Sequence, residues 1–76
     1  MTKERARDLK DMAAQIKRLH KSYPEEFLRA FRRNKRMVAQ HRAAIRRGAP
    51  EPTLTSLKIG LQRWEQTLAL YRPYLP

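Results

Sequence analysis

Apolar residues recur in the first part of the chain at steps of three and four, the spacing that aligns side chains along one face of an α-helix. The positions are Leu9, Met12, Ile16, Leu19 and Tyr23, which predict a first helix over about residues 3–20. Ser22 followed three residues later by Glu25 has the pattern of a capping box, so a second helix is expected from about residue 23. One long helix kinked at Pro24 is the alternative at this joint.

The second stripe is long and contains two polar positions. It consists of Phe27, Phe31, Asn34, Val38, His41 and Ile45. Gly48, just before Pro50, supplies a helix stop, so the second helix is expected over about residues 23–47. The two polar residues either fix the register of a buried interface or reach solvent or a nearby backbone group.

Thr53 can cap a third helix, which Pro73 ends. The apolar stripe between them is Leu54, Leu57, Leu61, Trp64, Leu68 and Tyr71, so this helix is expected over about residues 53–72. Stripes with this heptad-like spacing suit packing of the helices as a bundle.

The three stripes predict an all-α fold, a small three-helix bundle forming a single helical domain over residues 1–76. A chain of 76 residues without cysteine has neither a large core nor disulfides, so its stability alone should be modest. We expect one of two arrangements. Either one chain forms the whole core, or the core is completed by dimerisation of a helical hairpin or by docking in a larger complex. The expected core residues are Phe27, Phe31, Val38, Ile45, Leu61, Trp64 and Leu68.

Positive charge is concentrated in the second helix. The chain has 18 Lys and Arg against 7 Asp and Glu, a net charge of +11, and no acid lies between Glu26 and Glu51. At ~100° per residue, most of the cations in this stretch lie opposite the apolar stripe and the others flank it. They are Arg29, Arg32, Arg33, Lys35, Arg36, Arg42, Arg46 and Arg47, and a patch at the end of the first helix extends them with Lys17, Arg18 and Lys21.

Such a face suits a polyanion. Cations spaced three and four residues apart on a helix repel one another, whereas phosphates lying along the helix would reverse the effect and release counterions. We therefore expect a nucleic-acid-binding protein that contacts DNA or RNA backbone with little sequence readout, as a subunit of an oligomer or nucleoprotein complex. The alternatives are a protein adaptor whose basic face binds an acidic partner protein, and an amphipathic helix on anionic lipid.

The third helix is nearly neutral and carries apolar residues on a second side. Ile59 and Leu70 lie roughly 140° from the main stripe, with Gln66 between them. Either this helix touches two neighbours, or these three residues form a docking strip for a protein partner or for self-association.

The inventory of reactive residues argues against catalysis. The chain has no cysteine and no glycine-rich phosphate loop, and His20 and His41 are far apart, so we expect neither an enzyme nor a metal, cofactor or small-molecule substrate. No apolar run approaches the ~18 residues of a membrane span. The first eight residues are mostly charged, which predicts no secretory leader and a cytoplasmic location.

Overall fold

The structure is a computed structural model that describes residues 2–75. Three helices follow in chain order: α1 (Lys3–Ser22), α2 (Pro24–Arg46) and α3 (Thr53–Ala69), with a short 3₁₀ helix at Arg72–Tyr74. They pack into a flat bundle of 43 × 28 × 16 Å, and the described residues contain no strand. The predicted all-α three-helix bundle is confirmed.

The joint between α1 and α2 is a single residue. The proposed Ser22 cap is wrong, because α1 continues to Ser22 and α2 has no side-chain cap. Tyr23 leaves the helical conformation (φ −138°, ψ 65°), because a proline disfavours that conformation in the residue before it. Its N–H still donates to the carbonyl oxygen of Leu19 at 2.7 Å, and Pro24 is tolerated in the first turn of α2.

Gly48 ends α2 as predicted. It adopts a left-handed φ of 84°, which glycine tolerates without a Cβ clash, and its N–H donates to the carbonyl oxygen of Ile45 at 3.0 Å. The start of α3 differs from the prediction. Thr53 is the first helical residue and does not cap the helix, while the Thr55 hydroxyl donates to the Glu51 carboxylate.

The third helix ends three residues before the predicted bound of residue 72. After Ala69 the backbone hydrogen bonds join residues three positions apart and not four, as in the bond from the Tyr71 N–H to the Leu68 carbonyl oxygen at 3.1 Å. Pro73 has no N–H with which to continue an α-helix, and the chain tightens into the 3₁₀ helix instead. This turn directs the C-terminal residues back onto α1 and α2.

The core lies at one end of the bundle, where Ile16, Phe27 and Tyr71 form a buried cluster. Val38 is buried further along α2. Five residues expected in the core are only partly buried, namely Phe31, Ile45, Leu61, Trp64 and Leu68. The physical reason is that α3 packs mainly against α2 and meets α1 little, so a three-helix layer cannot enclose its other sides.

Aromatic rings hold this end of the bundle together. The His20 ring lies 5.0 Å from the ring of Phe27 and 4.8 Å from that of Tyr74, measured between centroids. Phe27 in turn lies 5.4 Å from Tyr71. Such separations are typical of favourable aromatic pairs. The cluster therefore joins the end of α1, the start of α2 and the C-terminal turn.

Asn34 is buried under the bundle's C-terminal turn, with 5% of its surface exposed. Its Nδ2 donates to the carbonyl oxygen of Ala30 at 2.8 Å and to the hydroxyl of Tyr71 at 3.2 Å, whereas its Oδ1 has no partner within residues 2–75. Burial raises the pKa of Tyr71 above 10.0, opposed by the positive charge of Arg33 and by the Asn34 hydrogen bond. Asn34 thus ties α2 to the C-terminal turn.

The His41 ring of α2 lies close to the backbone of α3 at Gly60. Its Nδ1 donates to the carbonyl oxygen of Met37 at 2.8 Å. A Cβ placed on Gly60 would lie only 2.8 Å from the Nε2 of His41. The missing side chain of Gly60 therefore leaves the space that this ring occupies between the helices.

Candidate nucleic-acid interface

The eight predicted basic residues of α2 are all exposed, but they do not form one continuous surface. Four of them line an open groove of about 650 Å³ between the end of α1 and the first half of α2, together with Leu19, Glu26 and Ala30. We call this surface the arginine groove and define it by Arg29, Arg32, Arg33 and Arg36.

The groove follows from the spacing of its residues on α2. Positions 29, 32, 33 and 36 fall on successive turns of one helix face and span ~10 Å of helix axis. Ala30 is a small residue beside them, and Leu19 lines the groove from α1. The aromatic cluster fixes α1 against α2 at this end, so it also fixes the groove's width.

One carboxylate enters the groove. The Glu26 Oε1 lies 3.2 Å from Arg29 Nη1, and the two side chains are 56% and 72% exposed. An ion pair this exposed contributes about 0–1 kcal/mol, so a stronger anion can displace it. The other three arginines of the groove have no carboxylate within 4.0 Å in the described part of the chain. The lining of the groove thus contains four guanidinium groups and one carboxylate.

The remaining cations of α2 lie elsewhere. Arg42 and Arg46 line a second hollow of about 560 Å³ between α2 and α3, with Ala39, Ile45 and Leu61. Arg42 Nη2 also lies 2.9 Å from the Oε1 of Glu65. Two further cations lie apart from both hollows: the ammonium of Lys35 sits 5.5 Å from the Phe31 ring centroid, and Arg47 is the exposed C-cap of α2.

The three cations predicted on α1 are exposed but separate in space. Arg18 lines a smaller hollow with Leu19, which also lines the arginine groove, so Arg18 lies next to the groove. Lys17 and Lys21 lie roughly 160° away from Leu19 around the helix axis, on the opposite side of α1. The structure therefore brings only Arg18 of this group toward the arginines of α2.

The strip predicted for a protein partner is not one exposed surface. Ile59 is 49% exposed, but Leu70 packs against the core. The Oε1 of Gln66 accepts a hydrogen bond from Arg5 Nε at 3.2 Å. Arg5 also donates to the carbonyl oxygen of Arg63 at 3.2 Å, so it joins α1 to α3. No motif in the sequence marks Arg5 for this role.

Within residues 2–75, no group of three or more metal-ligating side chains lies together. None of the described helices is long and apolar enough to cross a membrane. Comparison with protein-family models, curated proteins and solved structures found no match for this chain.

Proposed function

We propose that this protein is a non-catalytic nucleic-acid-binding protein that holds a phosphate backbone in the arginine groove. The observation that carries the proposal is the density of charge there: four exposed arginines within ~10 Å of helix axis, opposed by the single carboxylate of Glu26. The free protein gains nothing from this arrangement, because arginines three and four residues apart repel each other by a few tenths of a kcal/mol per pair.

Phosphate reverses that balance. A guanidinium group donates two parallel hydrogen bonds to phosphate oxygens, and each neutralised phosphate releases condensed counterions. Phosphates of one DNA strand follow each other at ~3.4 Å along the duplex axis, so a stretch of ~10 Å spans about three steps and presents about four of them to the groove. The number of arginines and the number of phosphates in reach therefore match.

Contacts of this kind position a nucleic acid without reading its sequence. The groove supplies guanidinium groups beside Leu19 and Ala30, and these two side chains offer no hydrogen bond to a base edge. We infer that binding is largely independent of sequence and that the protein acts as a subunit of an oligomer or nucleoprotein complex. Partly exposed apolar residues at the end of the bundle away from the buried cluster support its being a subunit of a complex, since a partner there would complete the core.

The test is the salt dependence of binding to labelled DNA and RNA, single- and double-stranded, followed by fluorescence anisotropy between about 50 and 200 mM salt. If the four groove arginines each meet a phosphate, the slope of log affinity against log salt is about −3.6 for a duplex and about −2.8 for a single strand. Absence of binding to every one of these nucleic acids at the lower salt concentration would refute the proposal.

A polyglutamate of similar length is the necessary control. It carries the charge without the phosphate oxygens that the guanidinium fork recognises. The proposal expects clearly weaker binding of polyglutamate than of nucleic acid. Equal affinity would mean that the groove attracts any polyanion, which would favour an acidic protein as the natural ligand.

A further inference from the structure

The two ends of the bundle are packed differently. The buried cluster of Ile16, Phe27 and Tyr71 fills one end. Toward the other end, Ile45 of α2 and Leu61 of α3 stay partly exposed although both belong to the apolar stripes. A partner that covered these aliphatic side chains would gain about 25 cal/mol of binding free energy for each Å² of apolar surface removed from water.

These two residues form the floor of the second hollow, and its rim is charged. The hollow measures about 560 Å³, and Ala39, Arg42 and Arg46 complete its lining. Arg42 already receives a carboxylate, that of Glu65 at 2.9 Å, which shows that an acidic group fits at this rim. Arg46, one turn further along α2, has no carboxylate within 4.0 Å among the described residues.

The hollow lies on a different side of α2 from the arginine groove. Around the axis of α2, the centre of the four groove arginines and the centre of the α2 residues that line the hollow are roughly 120° apart. The two surfaces can therefore be occupied at the same time. They also differ in chemistry, because the hollow has an apolar floor that a phosphate backbone would not use.

We propose that this hollow is a docking site for an acidic amphipathic helix of another protein. The apolar face of that helix would cover Ile45 and Leu61, and a carboxylate at its edge would pair with Arg46, the helix-in-groove mode of recognition. Charge complementarity selects this occupant. A second copy of this chain is disfavoured because each copy carries a net charge of +11.

The probe is a displayed library of helical peptides in which one face is fixed as Leu, Ile or Phe and the flanking positions vary among Glu, Gln and Lys. The library is sorted for binding to the whole protein. Enriched peptides should carry carboxylates beside the apolar face, and amide NMR shifts on binding should include Ala39, Ile45 and Leu61.

Two exposed neighbours on α2 provide matched variants. Ala39→Glu places a carboxylate in the hollow, whereas Gln40→Glu makes the same residue at the next position, ~100° away around the helix. Ala39→Glu should weaken the enriched peptides about tenfold or more, because like charges at an interface are strongly unfavourable, and Gln40→Glu should change their affinity little. Neither variant should abolish binding of nucleic acid to the groove.

Four results would overturn the proposal. They are failure of the library to enrich on the unmodified protein over Ala39→Glu, enrichment of Gln or Lys in place of Glu at the flanking positions, an equal loss of peptide affinity in both variants, and self-association of the unmodified protein that Ala39→Glu abolishes in sedimentation experiments. The last result would assign the hollow to a second copy of this chain.

Discussion

Truncation of Phe27 to alanine is the most direct test of the packing that supports the groove. Phe27 is only 2% exposed, and its ring contacts those of His20, Tyr71 and Tyr74. Removing a buried aromatic ring costs about 3–5 kcal/mol, since the lost transfer free energy adds to that of the cavity left behind. Because Phe27 joins three elements at the only buried cluster of the described residues, the upper part of this range is expected.

This cost is large relative to the whole protein. A chain of 76 residues has a free energy of unfolding of roughly 4–11 kcal/mol by its size. Each kcal/mol lowers the Tm of so small a domain by about 4–8 °C, so a cost in the upper part of the range should lower the Tm of Phe27→Ala by about 16 °C or more. Urea unfolding followed by circular dichroism gives the free energy, and thermal unfolding gives the Tm.

Leu28→Ala is the control for this prediction, because Leu28 neighbours Phe27 on α2 but is 43% exposed. Its loss should change the free energy of unfolding by less than about 0.5 kcal/mol. If Phe27→Ala costs no more than Leu28→Ala, the aromatic cluster does not hold the bundle together, and the account of how α1 is fixed beside the groove is wrong.

Three further predictions concern the helix contact, the buried phenol and the groove charges. Gly60→Ala should destabilise the protein despite a helix-propensity gain of about 1 kcal/mol, because the new Cβ meets the His41 ring. In a His41→Ala background the same change should stabilise the protein. Equal effects of Gly60→Ala in the two backgrounds, measured by melting curves as a double-mutant cycle, would contradict the close approach. Because the pKa of Tyr71 is raised in the folded state, the neutral phenol's contribution to the free energy of unfolding is complete below pH 10.0 and is lost as pH rises through the folded-state pKa. Tyr71→Phe should therefore flatten the alkaline decline in Tm. Identical alkaline Tm profiles of the two proteins would refute this. Glutamine at all four positions of the arginine groove should change the free energy of unfolding by less than about 1 kcal/mol, since relief of repulsion offsets the exposed Glu26 pair; a marked drop in Tm would show those arginines to be structural.

The helices were predictable from the sequence because each one carries its own stripe and its own stop. Gly48 ends α2 by a local effect, since its left-handed conformation is one that glycine adopts easily. The cap at Ser22 was predicted wrongly because the steric effect of Pro24 falls on Tyr23, and Ser22 can remain helical. The capping motif and the proline compete at this joint, and the pattern alone does not show which one decides it.

The packing of the C-terminal turn was not predictable in the same way. Contact between His20 and Tyr74 joins residues far apart in the chain, and no local pattern encodes it. The same holds for the hydrogen bond from Asn34 to Tyr71 and for the bond from Arg5 to Gln66. Which stripe residues become fully buried also depends on how many helices surround them, which is a property of the assembled bundle.

The basic face was visible in the sequence, but its division was not. A helical wheel places all eight cations around α2 without the neighbouring helices. In the structure, four of the arginines line the groove beside α1, whereas Arg42 lies on another side of α2 and forms an ion pair with Glu65 of α3. The acid-free stretch of sequence likewise did not reveal that Glu26 lines the groove.

The central claim is that the arginine groove, and not the net charge of the protein, holds the nucleic acid. Two variants with equal loss of charge separate these explanations. One carries glutamine at the four positions of the groove. The other carries glutamine at four exposed cations away from it, namely Lys3, Arg7, Lys10 and Lys58.

The decisive measurement is the slope of log affinity against log salt for both variants on the same DNA duplex. The groove variant should lose up to about 3.6 units of slope, one phosphate contact for each arginine, whereas the control variant should keep a slope within about one unit of the unmodified protein. Equal loss of slope in the two variants would contradict the claim, because binding would then follow total charge and not the groove.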